Sequence, residues 1–273
     1  MVFATFHVPT KTELENASSL ELRSYYSASA SINPNLTTPS IPPTIPQVFE
    51  ETIAITGENT AGMAISQYQG VVQNFLVGLV KAKRVLEIGT FTGSSAIFFA
   101  NALKRNGVKP STHKKPVIGL DISEEYANVA RSNFVKAGVA DYIEVIVGDA
   151  RENLAKLEGQ TFDVIFLDAD KMSNRQYYDT IFEKNILSEH GIIIADNTAF
   201  DCVTPFINIP VPVPDGAKAL DVPYADYPKG PVFGLGVHTF NEYVRNDARC
   251  EAVMLPIATG ITVIRRITSN NNN

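Results

Sequence analysis

Two segments of this chain run from apolar residues into oxygen-bearing ones. They are Phe166-Leu167-Asp168-Ala169-Asp170-Lys171 and Gly191-Ile192-Ile193-Ile194-Ala195-Asp196-Asn197. If both are strands lying side by side in a parallel sheet, Asp168, Asp196 and Asn197 converge at one edge. Two carboxylates and one amide oxygen form a hard ligand set, suited to Mg²⁺ or a similar cation such as Mn²⁺ or Ca²⁺. Lys171 stands three residues past Asp168, within reach of a substrate held by that metal. If the strand continues through Asp170, its carboxylate lies on the same side as that of Asp168. Each feature alone has an ordinary reading: a solvated loop pair, a turn or helix cap at Asp196-Asn197, a surface lysine. Together, at consecutive strand ends, they favour a metal site.

Upstream, Val85-Leu86-Glu87-Ile88-Gly89-Thr90-Phe91-Thr92-Gly93-Ser94-Ser95 reads as strand, glycine turn and helix start. Gly89 lets a ligand approach the backbone, Gly93 eases the turn, and Ser94 or Ser95 can cap the helix. The glycines are spaced G-x-x-x-G, which disfavours a pyrophosphate cradle of the G-x-G-x-x-G type. Glu87 adds a negative charge near the strand end, suited to a cationic amino-acid moiety rather than a phosphate. Asp121 ends the next strand in Gly119-Leu120-Asp121, placed to bond both ribose hydroxyls of a nucleoside. Val147-Gly148-Asp149-Ala150 ends the third, where an adenine edge would lie. A tight turn without ligand remains the alternative for the glycine loop.

These residues need a scaffold that brings strand ends together. From Arg84 the chain alternates strand and helix. Strands are expected at Arg84–Ile88, Pro116–Leu120, Tyr142–Val147, Asp163–Leu167, Gly191–Ala195, Ala252–Leu255 and Ile261–Arg266. Helices are expected at Ser94–Arg105, Glu124–Ala137, Arg151–Leu157 and Asn174–Asn185. Near-continuous apolar strands between helices imply an α/β fold, a parallel sheet covered on both faces. Only Ala258-Thr259-Gly260 separate AVMLPI from ITVIRRI, so the last pair forms an antiparallel hairpin. Before Arg84, residues 11–30 read as a helix and 31–46 as a Pro-rich connector. Residues 47–80 read as two helices broken near Gly57–Gly62. The expected division is an extension at 1–46, a domain at 47–268 and a disordered tail at 269–273.

The 273 residues allow one large domain. A net charge of −6 gives no basic footprint for nucleic acid or anionic membrane. Only Cys202 and Cys250 are present, and no apolar run has the length of a membrane span. A cytoplasmic protein with small-molecule chemistry is expected, without nucleic-acid or membrane partners. His7, His113, His190 and His238 lack ligand spacing, and Tyr177 and Tyr178 are expected to pack at a helix face.

VLEIGTFTGSSA, GLDIS, FLDADK, ADNT and MLPIATGITVIRR, in that order, resemble the cation-dependent class I O-methyltransferases typified by the caffeoyl-CoA and catechol enzymes. The likeness covers roughly residues 65–267. It implies a Rossmann-like, seven-stranded, mostly parallel sheet with an antiparallel last strand. It also implies S-adenosylmethionine (SAM) as methyl donor, a small vicinal dihydroxy aromatic as acceptor, and a homodimer. Carried over residue by residue, Glu87, Gly89, Ser95, Asp121, Ala150 and Asp170 would contact SAM, with Thr90 beside them in the loop. Asp168, Asp196 and Asn197 would bind the metal and Lys171 would be the general base. Two features depart from the family. Asp201 falls at about the place of a family asparagine, and residues 205–233 are longer than the family loop and read as a lid. Rival readings are a SAM methyltransferase acting on another oxygen or nitrogen nucleophile, and a SAM-binding module without catalysis. An NAD-dependent dehydrogenase is disfavoured by the glycine spacing.

Overall fold

A computed structural model of the chain describes residues 41–111, 114–199 and 229–267. The helix expected at 11–30, most of the connector, Cys202, Asp201, the tail and residues 205–228 of the expected lid lie outside them. Seven strands form one sheet: β1 Val85–Ile88, β2 Val117–Asp121, β3 Ile143–Val147, β4 Phe162–Leu167, β5 Leu187–Asp196, β6 Cys250–Leu255 and β7 Ile261–Arg266. Their order is β3-β2-β1-β4-β5-β7-β6. The chain builds outward from β1 to β3, then returns to lay β4 against the other side of β1. That reversal opens a crevice at the carboxyl ends of β1 and β4, where ligands bind in open α/β sheets.

The first five strands are parallel, as their apolar runs imply. β7 runs antiparallel to both β5 and β6 and sits between them. β6 is therefore parallel to β5 and needs a crossover, which contains helix α8 (Lys229–Arg245). This helix was not expected from the sequence. Gly230, Pro231, Gly234 and Gly236 crowd its first half, and such residues ordinarily break a helical pattern. The last five residues of the expected lid, 229–233, open this helix.

The other helices are α1 Ile45–Thr56, α2 Glu58–Ala61, α3 Gln67–Leu79, α4 Ser94–Arg105, α5 Glu124–Lys136, α6 Ala150–Ala155 and α7 Asn174–Glu183. Pro46 lies in the first turn of α1, where a missing N–H costs nothing, so the helix starts inside the expected connector. Alternation along the strands sends side chains to two cores. Val85, Phe166 and Ile194 pack on the side of α3 and α4. Leu86, Ile88, Leu167 and Ala195 pack with Tyr178, Ile181 and Phe240 on the opposite side. By the same alternation Glu87, Asp168 and Asp196 fall on the α4 side of the sheet.

Candidate active site

The register of the central strands assembles the site. Ile88 pairs with Leu167, and Leu167 with Ala195. The next residues along, Gly89, Asp168 and Asp196, therefore stand abreast at the sheet edge. The Asp168 N–H donates to the Ile88 carbonyl at 2.8 Å. Gly89 has φ +97°, and a Cβ there would lie 2.4 Å from the Asp168 carbonyl oxygen. Only glycine allows the β1 and β4 loops to approach this closely.

A cavity of about 1750 Å³ opens over this edge. Gly89, Thr90, Ser95, Asp121, Ala150, Asp168, Asp170, Lys171, Asp196 and Asn197 all line it. Glu87 does not. It is fully buried, neither carboxylate oxygen has a hydrogen-bond partner of normal geometry, and burial pushes its pKa up to about 8. The Ser95 and Thr90 hydroxyls oppose that shift, while the Asp168 and Asp121 charges add to it. A cationic group above this carboxyl would relieve the unpaired acid.

Asp121 has a structural part that was not expected. Its Oδ2 accepts from the backbone N–H groups of Thr90 at 3.1 Å and Phe91 at 2.7 Å, and its Oδ1 from Ser123 N–H at 2.8 Å. The carboxylate thus ties the glycine loop to β2 as well as lining the cavity. The two roles are compatible, since each oxygen has two lone pairs. Neither Ser94 nor Ser95 caps α4: the cap position is Gly93, in the left-handed region at φ +88°, with no side-chain cap bond. The first N–H groups of α4 are left for solvent or ligand.

The acidic centre is closely coupled. Lys171 Nζ donates to Asp168 Oδ1 at 2.8 Å, and Lys171 is only 7% exposed. Burial raises the Asp168 pKa to about 7, the Lys171 ammonium pulls it back, and the Asp196 carboxylate pushes it up. Asp196 accepts from the Asn197 N–H at 2.7 Å, and Asn197 holds a left-handed φ of +59°. Among the described residues no group of three or more His, Cys, Asp or Glu side chains is placed to hold a metal. The set here is two facing carboxylates and an amide. A buried carboxylate, Asp196, and a partly buried one, Asp168, that repel each other suit a divalent cation, and their oxygens are the right donors for a hard one. The residues therefore fit the expected ion.

Two further residues belong to the site. Asp170 accepts from Ser173 N–H at 2.9 Å and from the Tyr177 hydroxyl at 2.9 Å, which fixes both its oxygens. Burial and the Asp170 charge push the Tyr177 phenol upward, so it stays a donor. Tyr177 was expected only to pack. The available signal was its place seven residues after Asp170, on the first turns of α7. The second is Thr259, in the β6–β7 turn, whose hydroxyl accepts from Asn197 Nδ2 at 2.7 Å.

Comparison with known proteins agrees with this geometry. Residues 40–267 match the family model described as O-methyltransferase. A catechol O-methyltransferase of Mycobacterium tuberculosis is 39% identical over 136 residues, covering 50% of this chain and 57% of that protein. Caffeoyl-CoA O-methyltransferase 1 of Eucalyptus globulus is 32% identical over 234 residues, covering 84% and 85%. The SAH-bound crystal structure of a Podospora anserina methyltransferase superposes with a TM-score of 0.72 at 26% identity, covering 97% of this chain and 100% of that one.

Proposed function

The chain belongs to the O-methyltransferase family as a SAM-dependent enzyme, and on that premise we propose that it methylates one hydroxyl of a vicinal dihydroxy aromatic, using a divalent cation held by Asp168, Asp196 and Asn197. The observation that carries this reading is the meeting of Asp168, Asp196 and Lys171 at adjacent strand ends inside one cavity.

Methyl transfer from a sulfonium is an in-line displacement, so the acceptor oxygen must be positioned opposite the sulfur and lose its proton. The cation, when bound, acts as a Lewis acid on neighbouring hydroxyls and fixes their orientation. Asp168 and Asp196 would balance its charge, and Asn197 would add a neutral donor. Lys171 lies buried at the ligand edge and, once it has given up its own proton and left its pairing with Asp168, accepts the hydroxyl proton as the neutral amine. Gly89, Thr90, Ser95 and the N-terminus of α4 receive the amino-acid end of SAM above Glu87. Asp121 meets the ribose, Ala150 lies by the base, and Asp170, held by Tyr177, flanks the donor. α1 turns Ile45, Phe49 and Ile53 toward the cavity, an apolar stripe for an aromatic ring.

The deciding experiment is turnover of SAM with a catechol before and after exhaustive chelation. Activity lost on chelation and restored by Mg²⁺ or Mn²⁺ is expected. Full activity in the chelated enzyme refutes the cation's part and favours methylation of another oxygen or nitrogen nucleophile.

A further inference from the structure

We infer that the acceptor is a free catechol, neutral or positively charged, and that the cavity selects against acceptors esterified to coenzyme A. The inference rests on the catechol reading of the site and names its substrate class. Its ground is the sign of the cavity wall. Among the described residues, Glu50 on α1 and Asp179 and Glu183 on α7 add to Asp121, Asp149, Asp168, Asp170 and Asp196. Against these eight carboxylates stand three cations, Arg151, Lys171 and Arg175, and no histidine.

Each cation is already committed. Lys171 donates to Asp168 at 2.8 Å. Arg151 Nε donates to Asp149 at 3.0 Å. Arg175 Nε lies 3.7 Å from Asp179, and its guanidinium stacks on the Tyr243 ring at 4.1 Å. The segments outside the described residues bring no cationic excess. Residues 1–40 hold Lys11 and Arg23 against Glu13, Glu15 and Glu21, and residues 200–228 hold Lys218 against Asp201, Asp215, Asp221 and Asp226.

A coenzyme A thioester carries a diphosphate and a further phosphate. Proteins bind such groups with arginine forks, lysines or free helix N-termini. With the N-terminus of α4 occupied by SAM, a phosphate here would meet carboxylates, or would have to strip a cation from its partner and leave that acid unpaired. One divalent cation and one SAM leave the wall negative. A neutral catechol pays none of this, and a protonated catecholamine gains from it.

The test compares catechol, dopamine and caffeoyl-CoA by kcat/KM in the metal-loaded enzyme at low and high salt, with calorimetry of free coenzyme A. The two free catechols should exceed caffeoyl-CoA by about 10-fold or more at low salt. The gap should narrow as salt screens the wall, and also in Glu183→Lys, an exposed change. Free coenzyme A should not bind measurably. Equal or preferred use of caffeoyl-CoA overturns the inference, as does tight binding of free coenzyme A. If no acceptor is methylated and coenzyme A still fails to bind, the catechol reading falls and the exclusion of coenzyme A esters stands.

Discussion

Asn197 and Thr259, 62 residues apart in sequence, are joined by a hydrogen bond of 2.7 Å from the amide nitrogen to the hydroxyl. With Nδ2 engaged by the hydroxyl, the amide oxygen of Asn197 is left for the proposed role of metal ligand. Two backbone bonds reinforce it, from Thr198 N–H to the Gly260 carbonyl at 3.0 Å and from Ala199 N–H to the Thr259 carbonyl at 2.9 Å. Gly260 has φ +83°, and a Cβ there would lie 2.4 Å from that of Ala199, so the turn is pressed against the exit of β5.

Thr259→Val should therefore weaken divalent-cation affinity. Loss of one hydrogen bond corresponds to about 0.5–1.5 kcal/mol, or roughly 2- to 10-fold in Kd. Thr259→Ser should restore it. Calorimetric titration with Mn²⁺ reads the effect without turnover, and unchanged affinity in the valine variant would show that the amide needs no anchor.

Lys171→Met should cut kcat by about 100-fold or more, the usual weight of a positioned base. SAM affinity, read by calorimetry, should change little, because Asp170 beside Lys171 is held by Ser173 and Tyr177 and the other proposed cofactor contacts lie on other strand ends. The loss should shrink for a catechol acidic enough to be ionised already. Equal losses for acidic and ordinary catechols point instead to a positioning role.

Tyr177→Phe removes the hydroxyl that holds Asp170 Oδ2 at 2.9 Å. The expected result is a several-fold rise in KM for SAM at nearly constant kcat. A fall in kcat with KM unchanged would place Asp170 with the acceptor and not the donor.

Glu87 predicts a pH dependence of stability. Its folded pKa is raised to about 8 from 4.5. An unfolded chain sheds this proton near 4.5, whereas the folded protein keeps it until about 8. Stability from this group is thus present at acid pH and falls as pH rises through that window, by about 1.4 kcal/mol per pH unit at most. Asp168, raised to about 7 in the cation-free protein, adds a slope of the same sign over a narrower window. Glu87→Gln should flatten the slope in denaturant unfolding of the chelated protein. A slope identical to that of the parent would mean that Glu87 is ionised in the fold.

Gly89→Ala combines a left-handed φ with a 2.4 Å contact to the Asp168 carbonyl. A loss of about 1–3 kcal/mol in unfolding free energy is expected, with SAM binding impaired alongside. Unfolding midpoints and calorimetry on the same sample check both.

The sheet was legible because its strands are near-continuous apolar runs, and every expected strand has its counterpart. The carboxylates were legible because acids at the ends of such runs have nowhere to go but the sheet edge. β5 proved longer than expected. Ser188, Glu189 and His190 are polar, yet they extend the strand beyond the buried part of the sheet, with Glu189 and His190 exposed. α8 was hidden by its glycines, one of which has a tertiary reason. A Cβ at Gly236 would lie 2.9 Å from the Lys171 carbonyl, so the helix packs directly on the loop that carries the proposed base. Local propensity loses there to packing. The depth of Glu87, the double duty of Asp121 and the anchor at Thr259 depend on contacts between distant segments, which no local pattern announces.

The insertion of β7 between β5 and β6 also sets an order of assembly. Ile192 to Asp196 pair with Arg265 to Ile261, so the strand that ends in a proposed metal ligand keeps an open edge until residues 261–265 have been made. On the ribosome, residues up to Asp196 emerge with half the site in place and one flank unpaired, a species prone to wrong pairing. A chain ending before Ile261 would keep the cofactor loop, yet it would lack both the closing strand and the turn that holds Asn197. Competence for catalysis should therefore follow formation of the glycine loop and wait for residues 259–265, and a stop codon just ahead of Ile261 should be more damaging than its distance from the strand ends in sequence suggests.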